Sequence, residues 1–433
     1  MNQLFYYASL YGASAGFLKL AGFCLFLWLA RTLSVEDYAT WGLLYALQTG
    51  LITFGLVGIV QAIVGLLKVN RSVEKQRQLF AAAHNVFFLT LGSSIAFVLI
   101  LFVAFLGRTD ISFLTLASIL ISGALLAYSS LQAEIVRLEE KHFSSLCFNF
   151  LVPFMGLIGS FVAFLLEKTI QSFFWGSTIG LLISIVAARI TGVGFYATAP
   201  SLVAMRPILV RVAPFIAVTL LGWLSGYGNN YVIKLFFDSA EVAKFTFTFM
   251  LCAIMQLIAT SMNQVWGPRF YRMIHDLPFD QVEEHNWRFF RLQGIALGLV
   301  GGTLIALLPS TMKVLGGNLT YYESVSLELS LLVSAYVVLI PWWHCQNYLL
   351  AYDKGPLVMR VHLITGVIGT IAWVLFMLLM GRLGIYVGFL VQMLLRAAGT
   401  LVAARRHWPL KMSSEGIVGG VLIIFIGFLV SKL

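Results

Sequence analysis

Long apolar stretches follow one another from one end of this chain to the other, separated by connectors that hold only a few polar residues. That pattern excludes a water-soluble core and requires a bilayer, where each crossing helix needs about 20 apolar residues and bonds its backbone internally. Composition agrees: 60% of the 433 residues are hydrophobic and 11% charged, too few to cover an ordinary water-facing surface. The expected fold is all-α and polytopic.

Twelve principal transmembrane helices are predicted near residues 6–30, 38–66, 80–106, 111–136, 144–166, 171–197, 208–236, 241–271, 288–308, 325–352, 357–380 and 384–404. Their ends are good to about two to four residues. A shorter apolar run from Gly416 to Val430 reads as a thirteenth span, an interfacial helix or a packed tail. The first run lacks a basic leader and a small-residue cleavage site, so it reads as a retained helix rather than a signal peptide.

Lysine and arginine set the orientation. Clusters within 68–77, 137–141, 206–211, 269–291 and 405–411 fall on one side of the alternation. Only isolated residues, Arg31, Arg108, Lys168, Lys234, Lys244, Lys313 and Arg382, fall on the other. The asymmetry predicts a cytoplasmic N-terminus, and it accounts for the net charge of +10 without a nucleic-acid partner. Cys24, Cys147, Cys252 and Cys345 lie in apolar stretches with no paired spacing and read as packing residues, so neither disulfide nor metal is expected. The most polar connector, His275 to His285, reads as a solvated helix-turn at the cytoplasmic surface.

The link between helices 1 and 2 contains Arg31, then Ser34 with Asp37 three residues on; the link between helices 7 and 8 contains Lys234, then Asp238 with Glu241 three on. Both are basic helix ends followed by a capping signature. Their recurrence half a chain apart predicts two related six-helix bundles, over 1–200 and 201–406, with 407–433 as an apolar tail or extra helix. Transporters place substrate between such repeats.

The run Ala30-Arg31-Thr32-Leu33-Ser34-Val35-Glu36-Asp37-Tyr38 resembles the first outer turn of the Wzx-type polysaccharide flippases, Ala-Arg-x-Leu-Gly-x-Glu-x-Tyr-Gly. These belong to the multidrug, oligosaccharidyl-lipid and polysaccharide exporter superfamily. Pro207, Pro214, Asn229-Asn230-Tyr231-Val232-Ile233 and Ser239-Ala240-Glu241-Val242 resemble the second-half counterpart. Ala39 stands where the family usually has glycine, Asn229-Asn230 where many members have Asp-Arg, and Ala243-Lys244-Phe245 departs from Gly-x-Tyr. The resemblance implies a bacterial inner-membrane protein that moves polyprenyl-pyrophosphate-linked oligosaccharides from the cytoplasmic to the periplasmic leaflet. It implies that substrate, membrane lipids and other polysaccharide-assembly proteins as partners of a monomer.

A flippase has to shelter a polar, anionic headgroup, so charged and amide groups within spans are the candidates; a charge at mid-bilayer costs about 2.5–3.5 kcal/mol on insertion scales. Lys19, mid-way along helix 1, is expected to line a cationic cleft. Arg396 in helix 12 either adds a second charge or snorkels to the surface. Arg31 and Lys234 complement the helix dipole at outer ends and are release-side candidates. Asn229 and Asn230 of helix 7, and Gln256, Asn263 and Gln264 of helix 8, suit sugar hydroxyls or interhelical bonding equally. Pro341 and a water-exposed His344 suggest a hinge, while Glu134 and Glu328 are candidates for coupling to H+ or Na+. No other cofactor is expected, since no phosphate-cradling glycine loop is present. A polymerase or ligase would need catalytic His or Asp on a large outer loop, which this chain lacks, so no enzyme activity is expected; a cation-coupled multidrug exporter is the alternative within the superfamily.

Overall fold

The structure, a computed structural model, describes residues 2–67, 72–106, 111–190, 201–412 and 414–433, with side chains from Leu10 onward. Lys68, Arg71, Arg108 and the last residues of the sixth expected helix, 191–197, lie outside them. The described residues form helices and no strands: α1 (Asn2–Thr32), α2 (Val35–Gly55), α3 (Ile59–Leu67), α4 (Val73–Phe105), α5 (Phe113–Leu138), α6 (His142–Leu146), α7 (Val152–Glu167), α8 (Ile170–Ile190), α9 (Leu202–Leu224), α10 (Asn229–Phe236), α11 (Ser239–Asp276), α12 (Phe279–Leu315), α13 (Ser326–Val338), α14 (Ile340–Ala351), α15 (Gly355–Met380), α16 (Arg382–Arg405) and α17 (Ser414–Val430). Among the described residues twelve segments are long and apolar enough to cross a membrane, and α17 is a shorter apolar helix. Exposed apolar side chains such as Ile100, Leu166, Val186 and Leu379 would be a liability in water and suit contact with lipid.

Local sequence explains where helices start. Ser34 Oγ accepts from the Asp37 N–H at 3.1 Å, and Asp238 Oδ1 accepts from the Glu241 N–H at 3.0 Å, as the two links predicted. It also explains three helices that break where continuous spans were expected. The 38–66 helix divides at Leu56–Gly58, where Gly58 has φ +64°. The 208–236 helix divides at Ser225–Gly228, and the Gly226 and Gly228 N–H groups both fold back onto the Trp223 carbonyl at 3.0 and 2.9 Å. The 325–352 helix divides at Leu339, because Pro341 has no N–H and its ring crowds the carbonyl four residues earlier. A fourth irregularity keeps its path: Cys147–Leu151 form a π-turn just ahead of Pro153, so the carbonyl of Asn149 escapes the proline ring.

The chain divides into two compact units, one up to Leu235 and the other from Phe236 onward. In the first, α2 packs on α4, α5 and α9, and a cluster of Ile59, Ile63, Phe80, Phe87, Leu131, Ile135, Ile208 and Val212 joins α3, α4, α5 and α9. Helix α9 therefore belongs with the helices before it. In the second, α15 pairs with α16, and α12 with α17. A Cβ on Gly294 would stand 2.3 Å from the Gly416 carbonyl oxygen, one on Gly298 2.5 Å from Gly420 Cα, and one on Gly427 2.3 Å from the Gly302 carbonyl oxygen. Those partners rise together in number, so α17 lies parallel to α12 with backbone against backbone, the small-residue packing that holds helices together in lipid.

Candidate functional site

The irregular segments of the first unit converge on a polar cleft of about 590 Å³. Thr53, Leu56, Val57 and Gly58 come from the α2–α3 break, Val60 and Gln61 from α3, and Asn149 from the π-turn. Ser130, Glu134 and Arg137 come from α5, and Thr219, Gly222 and Trp223 from the end of α9. Broken helices free backbone groups, and in a bilayer that is tolerated only where protein or water satisfies them. Gly58 cannot be replaced freely: its φ is +64°, and a Cβ would meet Phe215 Cγ and Cδ2 at 2.8 Å. Gly222 is the converse case, with no atom within 4 Å of where its Cβ would stand.

Helix α5 organises the cleft because its two faces differ. On one side Tyr128 and Gln132 enter a buried chain: His84 Nδ1 lies 2.8 Å from the Phe80 carbonyl, its Nε2 lies 2.5 Å from Gln132 Nε2, Gln132 donates to the Tyr128 hydroxyl at 2.8 Å, and Arg189 donates to that same hydroxyl. This chain joins α4, α5 and α8. On the opposite face, at helical spacing, Ser130, Glu134 and Arg137 look into the cleft. Glu134 and Arg137 form an ion pair there, both partly exposed. The pair cancels net charge, and Arg137 keeps further guanidinium donors for hydroxyl or oxyanion acceptors. Gln61, Asn149, Thr53 and Thr219 add neutral hydrogen-bonding groups.

The other expected residues are spread over both units. Lys19 is exposed on α1 and is not among the residues lining this cleft; Gly12, Gly16 and Gly22 around it have open space in place of a side chain, and it forms no ion pair among the described residues. Arg31 is exposed at the end of α1, and Lys234 is partly buried near the end of α10. Asn230 Nδ2 donates to the Gly42 carbonyl at 3.3 Å, beside Tyr231 hydroxyl to Leu43 at 2.7 Å and Trp223 Nε1 to Ala46 at 3.1 Å. This row glues α9 and α10 to the carbonyl edge of α2. Asn229 is fully buried, and neither end of its amide has a partner among the described residues.

In the second unit Gln256 and Gln264 are exposed on α11, and Asn263 accepts from Asn347 at 3.1 Å. Glu328 is partly buried near the start of α13, and its Oε2 has no hydrogen-bond partner among the described residues. Pro341 opens α14 as a break, but the water-exposed histidine expected beside it is a correction: His344 is 1% exposed. Its Nδ1 lies 2.7 Å from Asn286 Oδ1 and its Nε2 3.0 Å from Gln293 Oε1, between the rings of Phe289 and Phe290. Packing from α12 closes over it. Arg396 is half-buried and stacks on Trp342, 4.4 Å from the ring centroid. Gln61 and Asn149 line the cleft without having stood out in the sequence, since each is a lone amide in an apolar run like several others; Pro153, which forces the π-turn, is the signal that marks Asn149.

Twelve spans, helices broken within the membrane and a polar cleft define a polytopic transporter fold. The chain belongs to the polysaccharide biosynthesis protein family, whose model matches residues 8–274. A comparison of the sequence with curated proteins gives no match. Among solved structures the fold is similar to the lipid II flippase MurJ in an inward closed conformation, with 14% identity, a TM-score of 0.70, and 98% of this chain and 97% of that one covered. It is similar to an inward-facing multidrug resistance transporter of the MATE family and MOP superfamily, with 15% identity, a TM-score of 0.65 and 96% of each chain covered. It also resembles the Vibrio cholerae MATE transporter VcmN in its bent form, with 15% identity, a TM-score of 0.57 and 98% of each chain covered. The fold is that of the superfamily expected from the outer-turn motifs.

Proposed function

We propose that this chain is a flippase that carries a polyprenyl-pyrophosphate-linked oligosaccharide, such as an O-antigen repeat unit of lipopolysaccharide, across the bacterial inner membrane by alternating access. The observation that carries the reading is membership of the polysaccharide biosynthesis family over residues 8–274. Likeness in fold to a lipid II flippase supports a lipid-linked cargo. The first-unit cleft suits the headgroup: at about 590 Å³ it falls within the range of ligand pockets, and its amides and hydroxyls match sugar hydroxyls. The N-terminus is cytoplasmic on this reading, and a H+ or Na+ gradient supplies any coupling through Glu134 or Glu328.

Deletion of the gene, followed by sided analysis of lipid-linked oligosaccharide, tests this. Accumulation on the cytoplasmic leaflet is the expected result. Normal translocation, with unpolymerised or unlinked glycan outside, would replace the flippase by a polymerase or ligase. Undisturbed glycan export with loss of cationic-dye efflux would favour the multidrug exporter that shares the fold.

A further inference from the structure

Three helices of the second unit, α14, α15 and α16, contain no aspartate or glutamate, yet they carry Arg360, Arg382, Arg396, Arg405 and two histidines. Arg382 finds carboxylates at the start of α11, on Asp238 and Glu241. Arg396 does not: it forms no ion pair among the described residues, although it is the arginine set furthest into its helix and lies partly buried. Its guanidinium is held over the face of Trp342, 4.4 Å from the centroid. Stacking orients the cation without neutralising it, and leaves its planar N–H groups free to donate.

The far edge of the same indole defines a second donor. Trp342 Nε1–H donates to Nε2 of His362 on α15. An indole nitrogen can only donate, so Nε2 carries the lone pair and the imidazole proton sits on Nδ1. His362 is therefore presented neutral, with Nδ1–H as a donor that has no protein acceptor among the described residues. Gln346, one turn along α14 from Trp342, and Gln392, one turn before Arg396, continue the polar character of these faces.

We propose that Arg396 and His362, organised by Trp342, form an oxyanion site that binds a phosphate group borne on a lipid. A guanidinium and an N–H donor at one ring, on helices without carboxylates, supply cationic and hydrogen-bonding complementarity to phosphate and leave the counter-charge to the ligand. None of its residues lines the first-unit cleft. Two lipids carry the required chemistry, an anionic phospholipid of the bilayer and a polyprenyl diphosphate, and only the second rests on the flippase reading.

The test is native mass spectrometry of the full chain in detergent, titrated in separate arms with phosphatidylglycerol and with undecaprenyl diphosphate. Arg396→Gln is expected to weaken binding in at least one arm by tenfold or more, Arg396→Lys to retain part of it, and Trp342→Phe, which keeps a ring but loses the N–H, to weaken it less than Arg396→Gln. Arg405→Gln, at the surface end of α16, is the matched control for loss of charge. Dependence on Arg396 in the undecaprenyl diphosphate arm supports the site and assigns it to the carrier. Dependence in the phosphatidylglycerol arm alone supports the site and counts against the carrier as its ligand. If Arg396→Gln matches Arg405→Gln in both arms while its melting temperature is unchanged, the proposal is overturned. Should Arg396→Gln fail to fold, Trp342→Phe and His362→Leu carry the same comparison, and full retention of binding in both overturns it.

Discussion

Replacing Gly298 by alanine puts a methyl carbon 2.5 Å from Gly420 Cα and 2.7 Å from its carbonyl oxygen. Carbon contacts relax to about 3.5–4.0 Å, so α17 has to withdraw by about 1 Å. The obstructing atoms are backbone, and no rotamer change relieves them. Overpacking of this kind costs about 1–3 kcal/mol, against which alanine returns up to about 1 kcal/mol of helix propensity. Gly419→Ala is the control for the substitution itself, at a position in α17 with no atom within 4 Å. Helix α17 packs on α12 and α13 and is the element freed. Amide exchange over 414–430, in detergent, should therefore be faster in Gly298→Ala than in Gly419→Ala by about 5- to 150-fold, the range that 1–3 kcal/mol converts to when opening is local. Equal protection in the two variants would refute the backbone-to-backbone seating of α17.

Parallel packing with α12 has a topological consequence: reporters fused after Lys411 and after Leu433 should read opposite sides of the membrane, and the same side for both would place α17 on the surface instead. Gly222→Phe puts a ring at a cleft-lining position whose Cβ has open space, and at unchanged protein abundance it should abolish glycan translocation; normal translocation would remove the cleft from the transport path. Gly58→Ala combines a left-handed backbone, worth about 1–2 kcal/mol, with a clash on Phe215, and should lower the melting temperature more than Gly65→Ala, where space is open. His344→Leu removes the ring whose N–H donates to one of two amide oxygens, Asn286 Oδ1 or Gln293 Oε1, a loss of about 1–3 kcal/mol visible in thermal unfolding; an unchanged melting temperature would contradict the buried bridge to Asn286 and Gln293.

Twelve spans and the two capped links at Ser34 and Asp238 were legible in the chain, because bilayer thickness and helix capping are local constraints. Hydropathy needs about 20 residues and a cap needs four. The family resemblance was legible for the same reason, resting on a contiguous turn. What hydropathy could not register was a break inside an apolar run. Gly58, Leu339 and the turn at 225–228 change the backbone without changing polarity, and two of them line the cleft or lead into its wall. Nor could it assign neighbours. Whether His344 meets water, whether Asn230 faces a cavity or the Gly42 carbonyl, and whether Arg396 snorkels or stacks on Trp342 depend on residues tens to hundreds of positions away. The last apolar run shows the division most simply. Its 17 residues span about 26 Å as a helix, too close to the bilayer core thickness for length to decide between crossing and lying flat. Its glycines matched to those of α12 seat it parallel to that helix, because only tertiary packing brings the two backbones into contact.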